Sequence, residues 1–244
     1  MSRPRLLDLF SGIGGFSLGL ERAGFETVAF CEIDSFCQRV LAKHWPEVPQ
    51  YDDIRTLTAE RLAADGIAVD AICGGLPCQG LSKAGKGRGL ADPRSALWFE
   101  FARLIEEIGP RVVILENVTA LRRRGLDIIL RFFASIRYDA EWHCAPAGAI
   151  GAPDVRDRLW VIAYPQHSNA HGVGPHTAPL NLAGSSELQN KQDGLAGPLL
   201  SALPRRRDGL GQEPVETGIP NPEYGEWLTG LQPRWTELEP SETA

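Results

Sequence analysis

The sequence predicts an α/β fold built on a doubly wound, mostly parallel β-sheet. Two observations predict it. Strand-like and helix-like segments alternate from the N-terminus to about Tyr164, and glycine-rich turns follow two of the strand-like segments. Alternation of this kind gives parallel strands with helices on both faces of the sheet. We therefore expect one main domain over residues 1–164.

Short runs of mainly aliphatic residues predict the strands, as is typical of strands buried inside a parallel sheet. The predicted strands are Arg5–Phe10, Thr27–Cys31, Val69–Cys73, Arg111–Leu115 and Leu159–Ala163. Apolar residues at helical spacing predict the intervening helices, with Gly24 and Gly109 placed to end two of them. The predicted helices are Phe16–Ala23, Ser35–His44, Leu97–Ile108 and Leu126–Ile136.

The composition changes at Pro165. Residues 165–222 are rich in Gly, Pro, Asn, Ser and Gln and show little periodicity, which favours either a small irregular domain or a flexible insert. Residues 223–244 contain several aromatic side chains, among them Trp227 and Trp235. We expect this last segment to pack back on the main domain.

Bulk properties exclude several classes of protein. None of the apolar runs approaches the roughly 20 residues of a membrane span, and the N-terminus does not resemble a signal peptide, so we expect a cytoplasmic protein. The five cysteines are odd in number and lack zinc-ligand spacing, which predicts reduced thiols and no metal site. A net charge of −6 disfavours a simple nucleic-acid-coating protein but not an enzyme with a local basic face.

A glycine-rich turn between the first strand and the first helix predicts a nucleotide-type cofactor site. The segment runs from Asp8 to Phe16 and contains three glycines, which let the backbone approach a ligand closely. Glu32 would accept hydrogen bonds from ribose hydroxyls, and Asp53-Ile54 would contact an adenine. A tight turn without ligand, with these acids on a solvated surface, is the plainer alternative. On spacing alone, a nicotinamide cofactor fits nearly as well as S-adenosylmethionine.

Four further residues are candidates for the chemistry of an active site. Cys78 follows a rigid proline in a polar, glycine-containing loop, a poor environment for the buried role that most free cysteines have. Glu116 ends a four-residue apolar run, which places it at the ligand-binding edge of a parallel sheet. Arg156 and Arg158 point the same way if that segment is extended. The alternatives are a surface acid or a helix cap for Glu116, and a surface ion pair for the two arginines.

Taken in their order along the chain, the glycine-rich turn and the segments around Cys78, Glu116 and Arg158 resemble the cytosine-5 DNA methyltransferase family. The motifs that carry the resemblance are Phe-Ser-Gly-Ile-Gly-Gly at 10–15, Pro77-Cys78-Gln79, Asp92-Pro93-Arg94-Ser95, Glu116-Asn117-Val118 and Arg156-x-Arg158. The resemblance implies a Rossmann-like S-adenosylmethionine-dependent methyltransferase fold with a small target-recognition region, here residues 165–222. It also implies double-stranded DNA as substrate, in a prokaryotic or phage setting and in a restriction-modification context.

The resemblance also implies roles for individual residues. Cys78 would attack carbon 6 of a flipped cytosine, and Glu116 would stabilise the charge that develops at N3 of the base. Arg158 would hold the O2 side of the same base. Arg156 would contact phosphate or steady the cysteine loop, and Asn117 would order the loop around Pro77. The loop at 80–92, with Lys83, Lys86 and Arg88, would close over DNA. The expected S-adenosylmethionine contacts are Asp8, Phe10, Ser11, Gly12, Gly14, Gly15, Glu32, Ile33, Asp53, Ile54, Pro77 and Leu97.

The sequence departs from the family pattern in three places. Asp154 stands where the family usually has Gln, residues 165–222 are short for a target-recognition domain, and the usual Gly-Asn-Ser segment is not found before Ala244. A second chain that supplies this segment is therefore one expectation. The alternatives are a cytosine-5 methyltransferase of transfer RNA, a silent nucleic-acid-binding relative and, last, a nicotinamide-dependent oxidoreductase.

Overall fold

The computed structural model describes residues 2–77, 97–147, 156–166 and 235–238. These parts of the chain form a seven-stranded sheet flanked by helices. The strands are β1 (Arg5–Leu9), β2 (Glu26–Cys31), β3 (Gln50–Tyr51), β4 (Ala71–Gly75), β5 (Val112–Val118), β6 (Tyr138–Pro146) and β7 (Asp157–Pro165). The helices are α1 (Gly15–Arg22), α2 (Ser35–His44), α3 (Ala59–Ala64), α4 (Leu97–Ile108), α5 (Leu121–Arg124) and α6 (Leu126–Ser135).

The strand order is β3-β2-β1-β4-β5-β7-β6. Strands β1 to β5 are parallel to their neighbours, whereas β7 is antiparallel to both β5 and β6. The predicted α/β class with a mostly parallel sheet is therefore confirmed. Because β7 runs in the opposite direction, its first residues lie at the edge of the sheet where the parallel strands end.

The core lies on both faces of the sheet, because successive residues of a strand point to opposite sides. One face packs against α4 and α6, with Leu7, Ile72, Val113, Phe101 and Phe133 among its buried residues. The other face packs against α1, with Leu6, Ala71 and Val112 buried beside Phe16 and Leu20. This burial explains why apolar residues predominate in the central strands.

The structure differs from the predicted elements where the pattern is weak. β5 continues past Leu115 to Val118, so that Glu116 and Asn117 are part of the strand. β6 was not predicted, because it is an edge strand whose residues are mostly exposed and polar, as in Glu141 and His143. The six-residue helix α3 was also missed, since so short a segment carries little periodicity. Helices α2 and α4 have the predicted bounds.

Within the described ranges, there is no helix long and apolar enough to cross a membrane. The same ranges contain no cluster of three or more His, Cys, Asp or Glu side chains that could hold a metal ion. Most of the predicted segments 165–222 and 223–244 lie outside the described residues.

Candidate active site

The ends of β1, β4 and β5 and the beginning of β7 meet at one edge of the sheet. The register pairs Leu9 with Gly74, Gly75 with Glu116, and Val118 with Arg158. Four parts of the predicted site therefore converge at this edge: the glycine-rich turn after β1, the segment that leads to Cys78, Glu116 and Arg158. Ligands of open α/β sheets bind outside the carboxyl ends of the strands, so this edge is the candidate active site.

Glu116 and Arg158 form an ion pair at this edge. The two residues lie diagonally across β5 and β7 on one face of the sheet, and Arg158 Nε donates to Glu116 Oε1 at 2.8 Å. Burial raises the pKa of Glu116 above its ordinary value, and the charges of Arg158 and Arg156 oppose that rise without cancelling it. Glu116 therefore retains a proton to higher pH than an exposed glutamate does.

The surroundings of Glu116 explain this effect of burial. A Cβ atom on Gly75 would lie 3.2 Å from Glu116 Oε2 and 3.9 Å from the Phe16 ring. Phe16 makes an edge-to-face contact with Trp160, at 5.5 Å between ring centroids, and Trp160 is the register partner of Glu116. The carboxyl thus lies between a glycine and an aromatic pair, a setting that disfavours its charged form.

The sequence analysis did not predict that Gly75 and Trp160 lie beside the Glu116 carboxyl. The Gly74-Gly75 pair at the end of a predicted strand was the available signal, because a glycine inside a strand often marks a close approach by another group. Trp160 could be identified only from its register with Glu116, and that register depends on the antiparallel direction of β7.

Asn117 connects the end of β5 to the chain that precedes Cys78. It is fully buried, and its Nδ2 donates to the Leu76 carbonyl at 3.5 Å while its Oδ1 accepts from the Val118 amide at 2.8 Å. Pro77 follows and is exposed. Cys78, the loop at 80–92 and Asp154 lie outside the described residues, and Arg156 is exposed at the start of the segment that enters β7.

The glycine-rich turn is held by hydrogen bonds from its own residues. Ser11 Oγ donates to the Asp8 carbonyl at 2.7 Å, and the Gly14 amide donates to the Ser11 carbonyl at 3.0 Å. Phe10 and Gly12 both have positive φ, 55° and 53°, which is unfavourable for a phenylalanine. The turn leads directly into Gly15, the first residue of α1.

The predicted acids lie at the same edge. Glu32 follows β2 and accepts from the Gly12 amide at 2.7 Å and from the Asp34 amide at 2.9 Å. Asp53 follows β3, the neighbour of β2, and its hydrogen bonds with Arg55 lower its pKa. Ile33 is 68% exposed, whereas Ile54 is buried.

Asp8 and Gly14, which were predicted to contact the cofactor, face the protein interior. Asp8 is fully buried, accepts from Ser17 Oγ at 2.7 Å, and has its pKa raised by burial to about 6. A Cβ atom on Gly14 would overlap the Trp45 ring. Asp8 therefore lies against Ser17 and Gly14 against Trp45, and a contact of either residue with the cofactor stays a prediction. Leu97 is half-buried at the start of α4.

Comparisons with known proteins identify relatives of this chain. The family model for C-5 cytosine-specific DNA methylase matches residues 4–211. The Type II methyltransferase M.HgiBI of Herpetosiphon aurantiacus is 33% identical over 219 residues, which cover 87% of this chain and 48% of the relative. M.AquIA of Picosynechococcus sp. is 30% identical over 205 residues, which cover 77% of this chain and 83% of the relative.

A solved structure shows the same relationship. A crystal structure described as a DNA modification methyltransferase from an E. coli prophage matches with a TM-score of 0.58 and 31% identity, over 68% of this chain and 49% of that one. The chain thus spans about half the length of several relatives that it matches, M.HgiBI among them.

Proposed function

Because the chain belongs to the C-5 cytosine-specific DNA methylase family, we propose that it transfers a methyl group from S-adenosylmethionine to carbon 5 of cytosine in double-stranded DNA. The observation that carries the proposal is the Glu116–Arg158 pair, held at the sheet edge beside the segment that leads to Cys78. The relatives named as Type II methyltransferases favour DNA over transfer RNA, and the family match removes the nicotinamide-dependent alternative.

Cys78 is the proposed nucleophile. Carbon 5 of cytosine is too weak a nucleophile to take a methyl group directly. Attack of the Cys78 thiolate on carbon 6 forms a C–S bond and shifts the ring electrons so that carbon 5 becomes nucleophilic. After methylation, loss of the carbon 5 proton to a base and cleavage of the C–S bond regenerate the thiolate and release 5-methylcytosine.

Glu116 is proposed to hydrogen-bond cytosine N3, where negative charge develops as the thiolate adds. A carboxyl group must hold a proton to donate this bond, and the raised pKa of Glu116 supports that role. The bond from Arg158 Nε to Glu116 Oε1 fixes the orientation of the carboxyl, and its other guanidinium nitrogens are proposed to hold O2 of the base. Asn117 is proposed to order the cysteine loop through Leu76, and Arg156 to contact phosphate.

The residues around the glycine-rich turn fit S-adenosylmethionine. The Glu32 carboxylate lies directly beside the Gly12 amide and is only partly buried, so that it presents acceptors suited to ribose hydroxyls. The exposed Ile33 side chain offers an apolar surface to an adenine ring, with Asp53 at the same edge. Phe10, Ser11, Gly12, Gly15, Pro77 and Leu97 complete the proposed contacts. When bound, this cofactor supplies an electrophilic methyl group.

The target cytosine is proposed to leave the duplex before it reacts, because a thiol cannot reach the face of a stacked base. Lys83, Lys86 and Arg88, in the loop at 80–92, would follow the phosphates of the flipped strand. We propose that the protein acts in a restriction-modification context in the cytoplasm of a prokaryote or a phage-infected cell, as its bacterial Type II relatives suggest.

Transfer of tritiated methyl from S-adenosylmethionine to mixed-sequence duplex DNA and to transfer RNA tests the proposal. We expect incorporation into DNA, as 5-methylcytosine after hydrolysis, and its loss in Cys78→Ser and Glu116→Gln. Cys144→Ser and Glu106→Gln are the matched controls, because both residues are exposed and neither is among the proposed site residues. Incorporation into transfer RNA alone would reject the DNA substrate.

A further inference from the structure

We propose that Trp235 is a positioning residue that holds the glycine-rich turn in its cofactor-binding conformation, together with His44 and Trp45 of the α2 end. The inference rests on the proposed function, because it assigns the turn to S-adenosylmethionine. Trp235 lies more than two hundred residues after the turn in sequence, and its indole Nε1 donates to the Ile13 carbonyl at 2.9 Å.

Three consecutive residues of the turn are each fixed by a different partner. The Gly12 amide donates to Glu32, the Ile13 carbonyl accepts from Trp235, and Gly14 packs against the Trp45 ring so closely that a side chain would not fit there. A turn with positive φ at Gly12 and Gly14 has many accessible conformations when unrestrained. These three anchors select one of them.

Trp235 is itself held firmly enough to act as an anchor. Its side chain is 7% exposed and stacks on the His44 ring at 3.6 Å between centroids, with the rings 9° from parallel. His44 Nε2 donates to the Trp235 carbonyl at 2.8 Å, since a carbonyl can only accept. Lys43 Nζ donates to the Glu237 carbonyl at 2.7 Å. The indole therefore has a fixed position relative to α2.

The position of the turn bears on cofactor affinity through Glu32. Trp235 fixes the segment of the turn that also contains the Gly12 amide. That amide donates to one oxygen of Glu32, the residue proposed to bind the ribose. Loss of the Trp235 bond frees the Ile13 peptide to rotate and so loosens Glu32. Glu116 and Arg158 lie on other strands, so the methyl-transfer step itself should change little.

The test compares Trp235→Phe with Trp142→Phe. Phenylalanine keeps an aromatic ring beside His44 and removes the N–H donor together with part of the indole ring, whereas Trp142 is an exposed residue of edge strand β6. We expect Trp235→Phe to weaken S-adenosylhomocysteine binding, measured by calorimetry, by about three- to tenfold, the range for one neutral hydrogen bond. KM for S-adenosylmethionine should rise by a similar factor with kcat within about twofold, and Trp142→Phe should match the wild type.

Amide hydrogen exchange of the ligand-free protein tests the positioning separately from the cofactor. We expect faster exchange at Gly12 and Gly14 in Trp235→Phe and unchanged exchange in β4 and β5. Unchanged exchange in the turn, or a lower melting temperature with unchanged affinity and exchange, would overturn the proposal. If the wild type fails to bind S-adenosylhomocysteine, the proposed cofactor is wrong, and the exchange data still decide whether Trp235 holds the turn.

Discussion

Replacing Gly75 with alanine tests whether the space beside this glycine sets the position of the Glu116 carboxyl. The added methyl group would lie 3.2 Å from Glu116 Oε2. This distance is shorter than nine in ten contacts that Cβ atoms make in proteins, and ordinary van der Waals contacts lie at 3.4–4 Å. The carboxyl must therefore move by a few tenths of an ångström. Arg158, bonded to the other oxygen of the same carboxyl, resists that movement.

The expected effect is on turnover and not on folding. A displacement of 1 Å in a catalytic group costs about a hundredfold in rate, so a few tenths should lower kcat by roughly three- to tenfold. Gly75 does not have positive φ, so alanine is compatible with its backbone. Stability should therefore be equal to that of the wild type or greater by about 0.4–1 kcal/mol.

Methyl transfer to DNA and urea unfolding, measured on the same preparations, check this expectation. Gly19→Ala is the matched control, because its methyl group would meet no atom within 4 Å. The control should be more stable by about 1 kcal/mol with unchanged kcat. Wild-type kcat in Gly75→Ala, or a loss of stability large enough to account for the loss of rate, would refute the argument that Gly75 sets the carboxyl position.

Three further perturbations have defined outcomes. Arg158→Gln should raise the pKa of Glu116 further, because a nearby positive charge is lost, and a carboxyl ¹³C NMR titration that shows no rise would contradict this. Burial raises the pKa of Asp8 from 3.8 to about 6, so the contribution of Asp8 to folding stability should fall by about 3 kcal/mol as pH rises through that interval. The difference in urea unfolding between the wild type and Asp8→Asn measures this contribution, and a difference that does not change with pH would be inconsistent with it. Gly14→Ala should lower the melting temperature, because its methyl group overlaps Trp45 and its φ is 85°, and a wild-type melting curve would count against the packing described.

Much of the fold could be predicted because its strands are buried on both faces. Apolar residues predominate in Arg5–Phe10 and Arg111–Leu115, and α2 and α4 have helical periodicity with clear ends. β6 could not be predicted, because one edge and most of one face are exposed and its residues alternate weakly. The antiparallel direction of β7 was also not predictable from its composition, since a short apolar strand has no directional signal.

The candidate site was predictable to the extent that motifs mark the ends of strands. Glu116, Glu32 and the glycine-rich turn were placed at one edge by this reasoning, and they are found there. The burial of Asp8 was not foreseen, because a sequence motif does not show how exposed each of its residues is. Trp235 could not be connected to Ile13 either, since only the folded chain brings them together.

Covalent trapping shows whether Cys78 adds to cytosine in DNA. The protein is incubated with S-adenosylmethionine and duplex DNA that carries 5-fluorocytosine, and then separated on a denaturing gel. Fluorine at carbon 5 cannot leave as a cation, so a thiol that has added to carbon 6 remains attached to the base. We expect a protein–DNA adduct that is lost in Cys78→Ser and retained in Cys144→Ser. A folded protein that forms no adduct, or an adduct that persists in Cys78→Ser, would contradict it.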